Sequence, residues 1–195
     1  MIFIMKFYLL FALWFVGLSI PAIYLAGTHT FSLLPSSEKN LNSLLPEKKS
    51  QQMQVLHFLG VDCDCSKNVF SSLLKRSPDQ TLIERVYLIG EEKNWEKQLR
   101  LKGYDVVVGN KEVFSTRFDI QAVPQLSVFN IDGRLIYNGG YTSKRGPSSI
   151  VEDQTIIAGL KKNEHEIKQR PIFGCLNGTK LQKSADPLGL KYSYQ

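Results

Sequence analysis

Gln54–Asn68 reads QVLHFLGVDCDCSKN. An apolar run, Val55–Leu59, gives way to Gly60 and then to two cysteines one residue apart, Cys63 and Cys65. Beyond them Val69, Phe70, Leu73 and Leu74 recur at helical spacing, and Pro78 bounds the segment. The order is a buried strand, a tight turn and a helix beginning near Cys65. The first turn of such a helix presents unpaired N–H groups and the positive end of a dipole. A thiol placed there loses its proton more easily, and the thiolate is the form that attacks disulfides and binds metals. Two of the chain's three cysteines lie in this turn, so the rest of the chain reads as its scaffold, its platform and its tether.

Working outward, Thr81–Ile89 is a second strand and Glu91–Lys102 a helix with Trp95 and Leu99 four apart. Tyr104–Val108 is a short edge strand and Lys111–Phe118 a short helix. Leu126–Asn130 and Leu135–Tyr137 flank the turn Ile131-Asp132-Gly133-Arg134 as a hairpin. Ser148–Asn163 is a last amphipathic helix, with Ile150, Val151, Ile156, Ile157 and Leu160 facing inward. The first half implies a parallel strand pair with a right-handed crossover, the second an antiparallel pair.

Composition sets the outer bounds. The chain has 195 residues, 43% of them hydrophobic and 22% charged, enough for one domain with a core plus appendages. The net charge of +6 is scattered, with no basic run interleaved with aromatics, which argues against a nucleic-acid partner. Three cysteines are too few for a disulfide-stapled scaffold and fit redox or metal chemistry better. Phe7–Gly27 carries no charge and is long enough to cross a bilayer as a helix. Lys6 precedes it and the next basic residue is Lys39, so the short N-terminal end stays inside and everything after Gly27 lies outside. The competing reading is a cleaved signal peptide, for which Leu25-Ala26-Gly27 is a poor cleavage site. The expected organisation is an anchor over 1–27, a polar linker over 28–50 containing a solvated His29, a domain over 51–162 and an extension over 163–195.

The element order with a cysteine turn after the first strand resembles the thioredoxin-like superfamily. Three segments carry the resemblance. HFLGVDCDCSK is similar to the family's strand and active-site turn. AVPQLSVFNIDGRLIYNGGY, Ala122–Tyr141, is similar to its cis-proline strand and hairpin, and the terminal helix follows in place. The resemblance implies an α/β fold with a central mixed sheet flanked by helices. With the apolar N-terminus it implies a single-pass protein of the bacterial inner membrane whose domain lies in the periplasm. It also implies a cis Val123–Pro124 bond, with Val123 and Pro124 turning their backbone toward the cysteines as the platform for an extended substrate.

The departures from the family pattern bear on mechanism. Cys63 falls on the family's nucleophilic cysteine, Cys65 between the two usual positions, and Ser66 on the second. Three arrangements are open: a CxC ring that geometry disfavours, a shifted register with Cys65 as the helix-cap nucleophile, or a partnership with Cys175. Cys63 and Cys65 are the preferred redox pair, with Cys175 as a possible third redox cysteine. His57 stands where the family often carries a buried acid, so it either handles the proton of the resolving thiol or is a strand histidine bonded to a backbone carbonyl. Asp62 and Asp64 oppose thiolate formation and Lys67 favours it. The tail after Arg170 is too rich in Ile, Phe, Leu and Tyr to be free and is expected to fold back.

The expected function is a membrane-anchored thiol-disulfide oxidoreductase acting on protein or small-thiol disulfides, needing no cofactor beyond its cysteines. One alternative is a copper carrier using Cys63 and Cys65 with Cys175 or His57, although no histidine lies between His57 and His165. The other is a redox-inactive domain that only binds a partner.

Overall fold

Five strands make the central sheet of this computed structural model, which describes residues 2–28, 35–46, 50–91, 93–143, 150–162, 168–187, 189 and 192. The strands of the chain are β1 (Met53–Gly60), β2 (Leu82–Ile89), β3 (Asp105–Gly109), β4 (Ala122–Val123), β5 (Gln125–Phe129), β6 (Leu135–Gly139) and β7 (Cys175–Leu176). The sheet order is β3-β2-β1-β5-β6, and β4 pairs separately with β7. β1 runs parallel to β2 and antiparallel to β5, and β5 runs antiparallel to β6. The helices are α1 (Ile2–Thr28), α2 (Glu38–Leu41), α3 (Asp64–Leu74), α4 (Lys93–Leu101), α5 (Lys111–Thr116), α6 (Asp153–Lys161) and α7 (Thr179–Ala185).

β1 is the axis of the domain because both of its faces are covered, which is why its sequence is continuously apolar rather than alternating. Val55 and Leu59 pack toward one layer with Val69, Phe70 and Leu73 of α3, Leu99 of α4 and Ile156 and Ile157 of α6. Leu56 and Phe58 pack the other way with Tyr87, Phe114, Ile120 and Phe129. Phe58 stacks on Tyr87 at 5.1 Å, and Phe70 on Trp95 at 4.2 Å. A fully buried side chain such as Phe58 contributes roughly 1.5–3 kcal/mol.

The chain divides into the units Met1–Phe31 and Ser32–Gln195. In the first, α1 is one 27-residue helix containing Pro21. Among the described residues no helix is long and apolar enough to cross a membrane, and the side chains described in α1 stop at Ala22. The side chains of Phe7 and of residues 23–28 lie outside the described ones, so the anchor expected over Phe7–Gly27 is covered only in part.

Three expectations need correction. The stretch read as a linker carries structure within the second unit. Leu41 and Leu44 are buried in the core, Ser36 Oγ donates to Gln125 Oε1 at 3.2 Å, and Tyr87 donates to the carbonyl of Leu44. Its polar composition hid two leucines that pack. His29 lies outside the described residues. The last helix begins at Asp153 rather than Ser148, because the Glu152 amide is bonded to the Tyr141 carbonyl at 3.0 Å; Ile150, expected inside, is 78% exposed. That helix ends at Lys161, short of the expected Asn163; residues 163–167, with His165, lie outside the described residues, and 168–170 are not helical.

Candidate active site

The cysteine turn is built by the end of β1. The Cys63 amide donates to the Gly60 carbonyl at 3.1 Å, closing a tight turn, and the Val61 amide reaches back to Ile89 at 3.2 Å. Cys63 is extended (φ −109°, ψ 117°) and stands at the N-cap of α3, its carbonyl accepting from the Lys67 amide at 3.2 Å. Gly60 is required by close approach: a Cβ there would lie 2.6 Å from Cγ2 of Val123. Ser66, at the position of the missing second cysteine, is fully buried, and its Oγ accepts from the Gly60 amide at 3.0 Å. It therefore clamps the helix to the strand end. Ser66→Ala removes that acceptor and should cost about 1–3 kcal/mol, read as a lowered thermal midpoint; an unchanged midpoint would remove Ser66 from this role.

Opposite the turn lies Val123, whose peptide bond to Pro124 is cis. Cys63 Sγ lies 3.5 Å from the carbonyl oxygen of Val123, and both residues are buried. β7 lies antiparallel on β4, pairing Ala122 with Leu176 and Val123 with Cys175. This register sets Cys175 beside Cys63, and the two form a disulfide with a Cα–Cα distance of 5.8 Å across 112 residues of sequence. The preferred pair of the sequence reading, Cys63 with Cys65, is not the bonded one. Cys63 points inward from the N-cap, whereas Cys65, two residues on in the first helical turn, is exposed.

A mixed parallel and antiparallel sheet flanked by helices, with the cysteine turn after β1 facing a cis proline before β5, is now in place. The chain has a thioredoxin-like fold. No family model matches the chain, and no curated protein matches it. Among solved structures it is similar to an uncharacterized conserved protein from Geobacillus kaustophilus, at 18% identity and a TM-score of 0.51 over 68% of this chain and 80% of that one. It is also similar to a hypothetical protein from Sinorhizobium meliloti, at 15% identity and a TM-score of 0.51 over 66% and 80%. StoA from Bacillus subtilis is a looser likeness, at 17% identity and a TM-score of 0.35 over 56% and 82%. At these identities the first two likenesses are of fold alone.

On this thioredoxin-like scaffold the electrostatics around the turn are divided among surface pairs. Asp62 pairs with Lys111, and Asp64 with Lys67 at 2.7 Å. The Lys67 ammonium, by hydrogen bond and charge, holds the Asp64 carboxyl below its ordinary value. Both carboxylates thus have a cation beside them, which offsets the repulsion that the sequence reading assigned to them.

His57 is fully buried on the face of β1 shared with Val55 and Leu59, opposite the layer in which Cys63 packs. Its Nδ1 is 2.9 Å from the Tyr141 hydroxyl, and its Nε2 lies 3.5 Å from Glu84 Oε2 without a hydrogen bond. Arg76 bridges Glu84 and Asp153, each at 2.9 Å. Burial pushes the Glu84 carboxyl up, but the neighbouring His57 ring and Arg76 guanidinium outweigh it and hold it below its usual value. Burial raises the Tyr141 hydroxyl well above its usual range. His57 is therefore bonded to a side chain, neither to a backbone carbonyl nor to a cysteine. Its connection to the platform runs through Tyr141, whose hydroxyl donates to the Gln125 carbonyl at 3.4 Å. Among the described residues no group of three His, Cys, Asp or Glu side chains is arranged to hold a metal ion.

The tail is the part that the sequence only half announced. Ile172 is fully buried, the Asn177 amide donates to Gln121 O at 2.9 Å, and Asn177 Nδ2 donates to Ile120 O at 2.9 Å. The pattern of apolar residues showed that the tail docks; the two-residue strand that takes it to Cys63 has no periodicity to detect.

Proposed function

We propose that the protein is a thiol-disulfide oxidoreductase whose redox pair is Cys63 and Cys175. The observation that carries this reading is the disulfide itself, placed at a helix N-terminus beside the cis Val123–Pro124 bond. In the reduced state the Cys63 thiolate, favoured by the N-terminus of α3, attacks one sulfur of a substrate disulfide and expels the other as a thiolate. A mixed disulfide now joins Cys63 to the substrate. Cys175 then attacks Cys63 Sγ, the substrate's second thiolate leaves, and the Cys63–Cys175 bond forms. Two electrons pass from protein to substrate; run backward, the same steps oxidise a dithiol. Val123 and Pro124 are the platform. Cys65 is outside the pair, and His57 is linked to the platform through the Tyr141 hydroxyl, which donates to the backbone at Gln125.

The proposal includes attachment to a membrane through α1, with the domain in the periplasm. It is supported by 21 uncharged residues over Phe7–Gly27 and by the exposure of Leu9, Leu10, Leu13, Trp14 and Phe15 on that helix. A disulfide also persists best outside the cytoplasm.

The test uses the full-length protein in detergent micelles, equilibrated in graded glutathione buffers, alkylated and mapped by mass spectrometry. The Cys63–Cys175 bond should open and close reversibly while Cys65 stays alkylatable throughout. A bond that no buffer opens would overturn the reading in favour of a partner-binding domain. Opened thiols that retain Cu(I) stoichiometrically and fail to reoxidise would overturn it in favour of a metal carrier.

A further inference from the structure

We infer that β7 is the site's own bound ligand, and that the ligand class admitted in its place is an extended polypeptide carrying glycine immediately before its cysteine. This rests on the oxidoreductase reading and deepens it. β4 offers only Ala122 and Val123 for strand pairing, and both are taken by Leu176 and Cys175. An incoming strand that brings a cysteine to Cys63 needs that same edge, so it and β7 exclude one another.

The path of β7 also fixes what can follow it. Gly174 runs so close to the platform that a Cβ there would lie 2.6 Å from the carbonyl carbon of Val123 and 2.9 Å from Cδ of Pro124, with the Val123 oxygen nearer still. These are backbone atoms and a proline ring, which do not swing aside as a flexible side chain would. The residue before the cysteine must therefore lack a side chain. Ile172, two residues earlier, is fully buried and anchors the approach.

The cap does not depend on the disulfide. Before Cys175, the Gly140 amide donates to Arg170 O at 3.0 Å, and Arg170 pairs with Glu152 at 2.6 Å. After it, Asn177 holds Gln121 and Ile120, and the Thr179 amide donates to Glu112 Oε1 at 2.8 Å. None of these contacts involves sulfur, so reduction leaves β7 docked and the platform covered.

The experiment uses full-length protein in micelles with Cys65→Ser and Cys175→Ser, so that Cys63 is the one reacting thiol, with and without Gly174→Ala. The probe is the peptide Ile-Phe-Gly-Cys-Leu-Asn with its cysteine bound to thionitrobenzoate. The Cys63 thiolate attacks the peptide sulfur, the new disulfide joins protein to peptide, and thionitrobenzoate leaves with the electron pair and is read by absorbance. The G174A protein should react about tenfold or more faster than its parent, and about tenfold or more faster with this peptide than with its Ala-Cys counterpart. Equal rates for the two peptides, or for the two proteins, would overturn the inference. Asn177→Ala loosens the cap from outside the platform and must raise the rate in the same direction; it carries the test should G174A fail to fold. A small aromatic disulfide separates the two readings. If Cys63 reacts with it but not selectively with the peptides, only this inference falls; if Cys63 is inert to it in every variant, the oxidoreductase reading falls.

Discussion

Replacing Cys175 with serine should stop the reaction after its first half. In the wild-type chain the second sulfur is held on β7 opposite Val123, with its Cα 5.8 Å from that of Cys63. Resolution is therefore intramolecular, and a well-oriented intramolecular attack has an advantage that no dilute external thiol matches. In Cys175→Ser the first exchange still occurs, and the adduct stays on Cys63. With glutathione disulfide as substrate and a dithiol as reductant, steady-state turnover should fall on the order of 100-fold. Mass spectrometry should find glutathione trapped on Cys63. Cys65→Ser should leave turnover within about twofold, because Cys65 faces solvent on the first turn of α3 and lies outside the bond. The opposite pattern, with Cys65→Ser inactive and Cys175→Ser active, would reassign the pair to the two cysteines of the turn.

Arg76→Ala should be among the most destabilising single changes in the domain. Arg76 lies between two carboxylates that are almost wholly buried, Glu84 at 2.9 Å and Asp153 at 2.9 Å. Its removal leaves both without their cation, and breaking a buried pair from one side costs about 3–5 kcal/mol. At roughly 2–4 °C per kcal/mol for a domain of this size, the thermal midpoint should drop by roughly 6–20 °C. The pH dependence follows from Glu84, whose carboxyl is held below its ordinary value of 4.5 in the folded chain. A depressed carboxylate stabilises the fold above its unfolded value, and that stability is lost as pH falls through the folded one. Wild-type stability should therefore decline with acidification below about pH 4.5, and Glu84→Gln should flatten that part of the profile. A midpoint unmoved by Arg76→Ala would show that the cluster is relaxed by water or by movement of Asp153.

The parts of the fold that were legible in the sequence are those written in local patterns. The apolar run of β1, the helical spacing of Val69, Phe70 and Leu73, and the Asp132-Gly133 hairpin each declare themselves within a few residues. The parts that were not legible depend on a partner far away in the chain. Gly174 looks like any turn glycine until the backbone of Val123 is laid against it. Cys65 looked like the partner of Cys63 because it is nearest in sequence, yet helix geometry turns one inward and the other out. Leu41 and Leu44 were submerged in a polar stretch and carry no period long enough to read. His57 was recognised as a buried strand residue, but its neighbours Tyr141 and Glu84, and the Arg76 and Asp153 that pair beyond Glu84, come from four other segments, which no spacing relates to one another.

The disulfide also imposes an order in time. Every strand of the central sheet and all of α6 precede Cys175 in the chain, and domains fold from the N-terminus as synthesis proceeds. At about 5–20 residues per second, the 112 residues that separate the two cysteines take roughly 6–22 s to make. Throughout that interval the only other cysteine the nascent chain possesses is Cys65. The bond that closes the site can thus form only once every strand of the central sheet and all of α6 have been made.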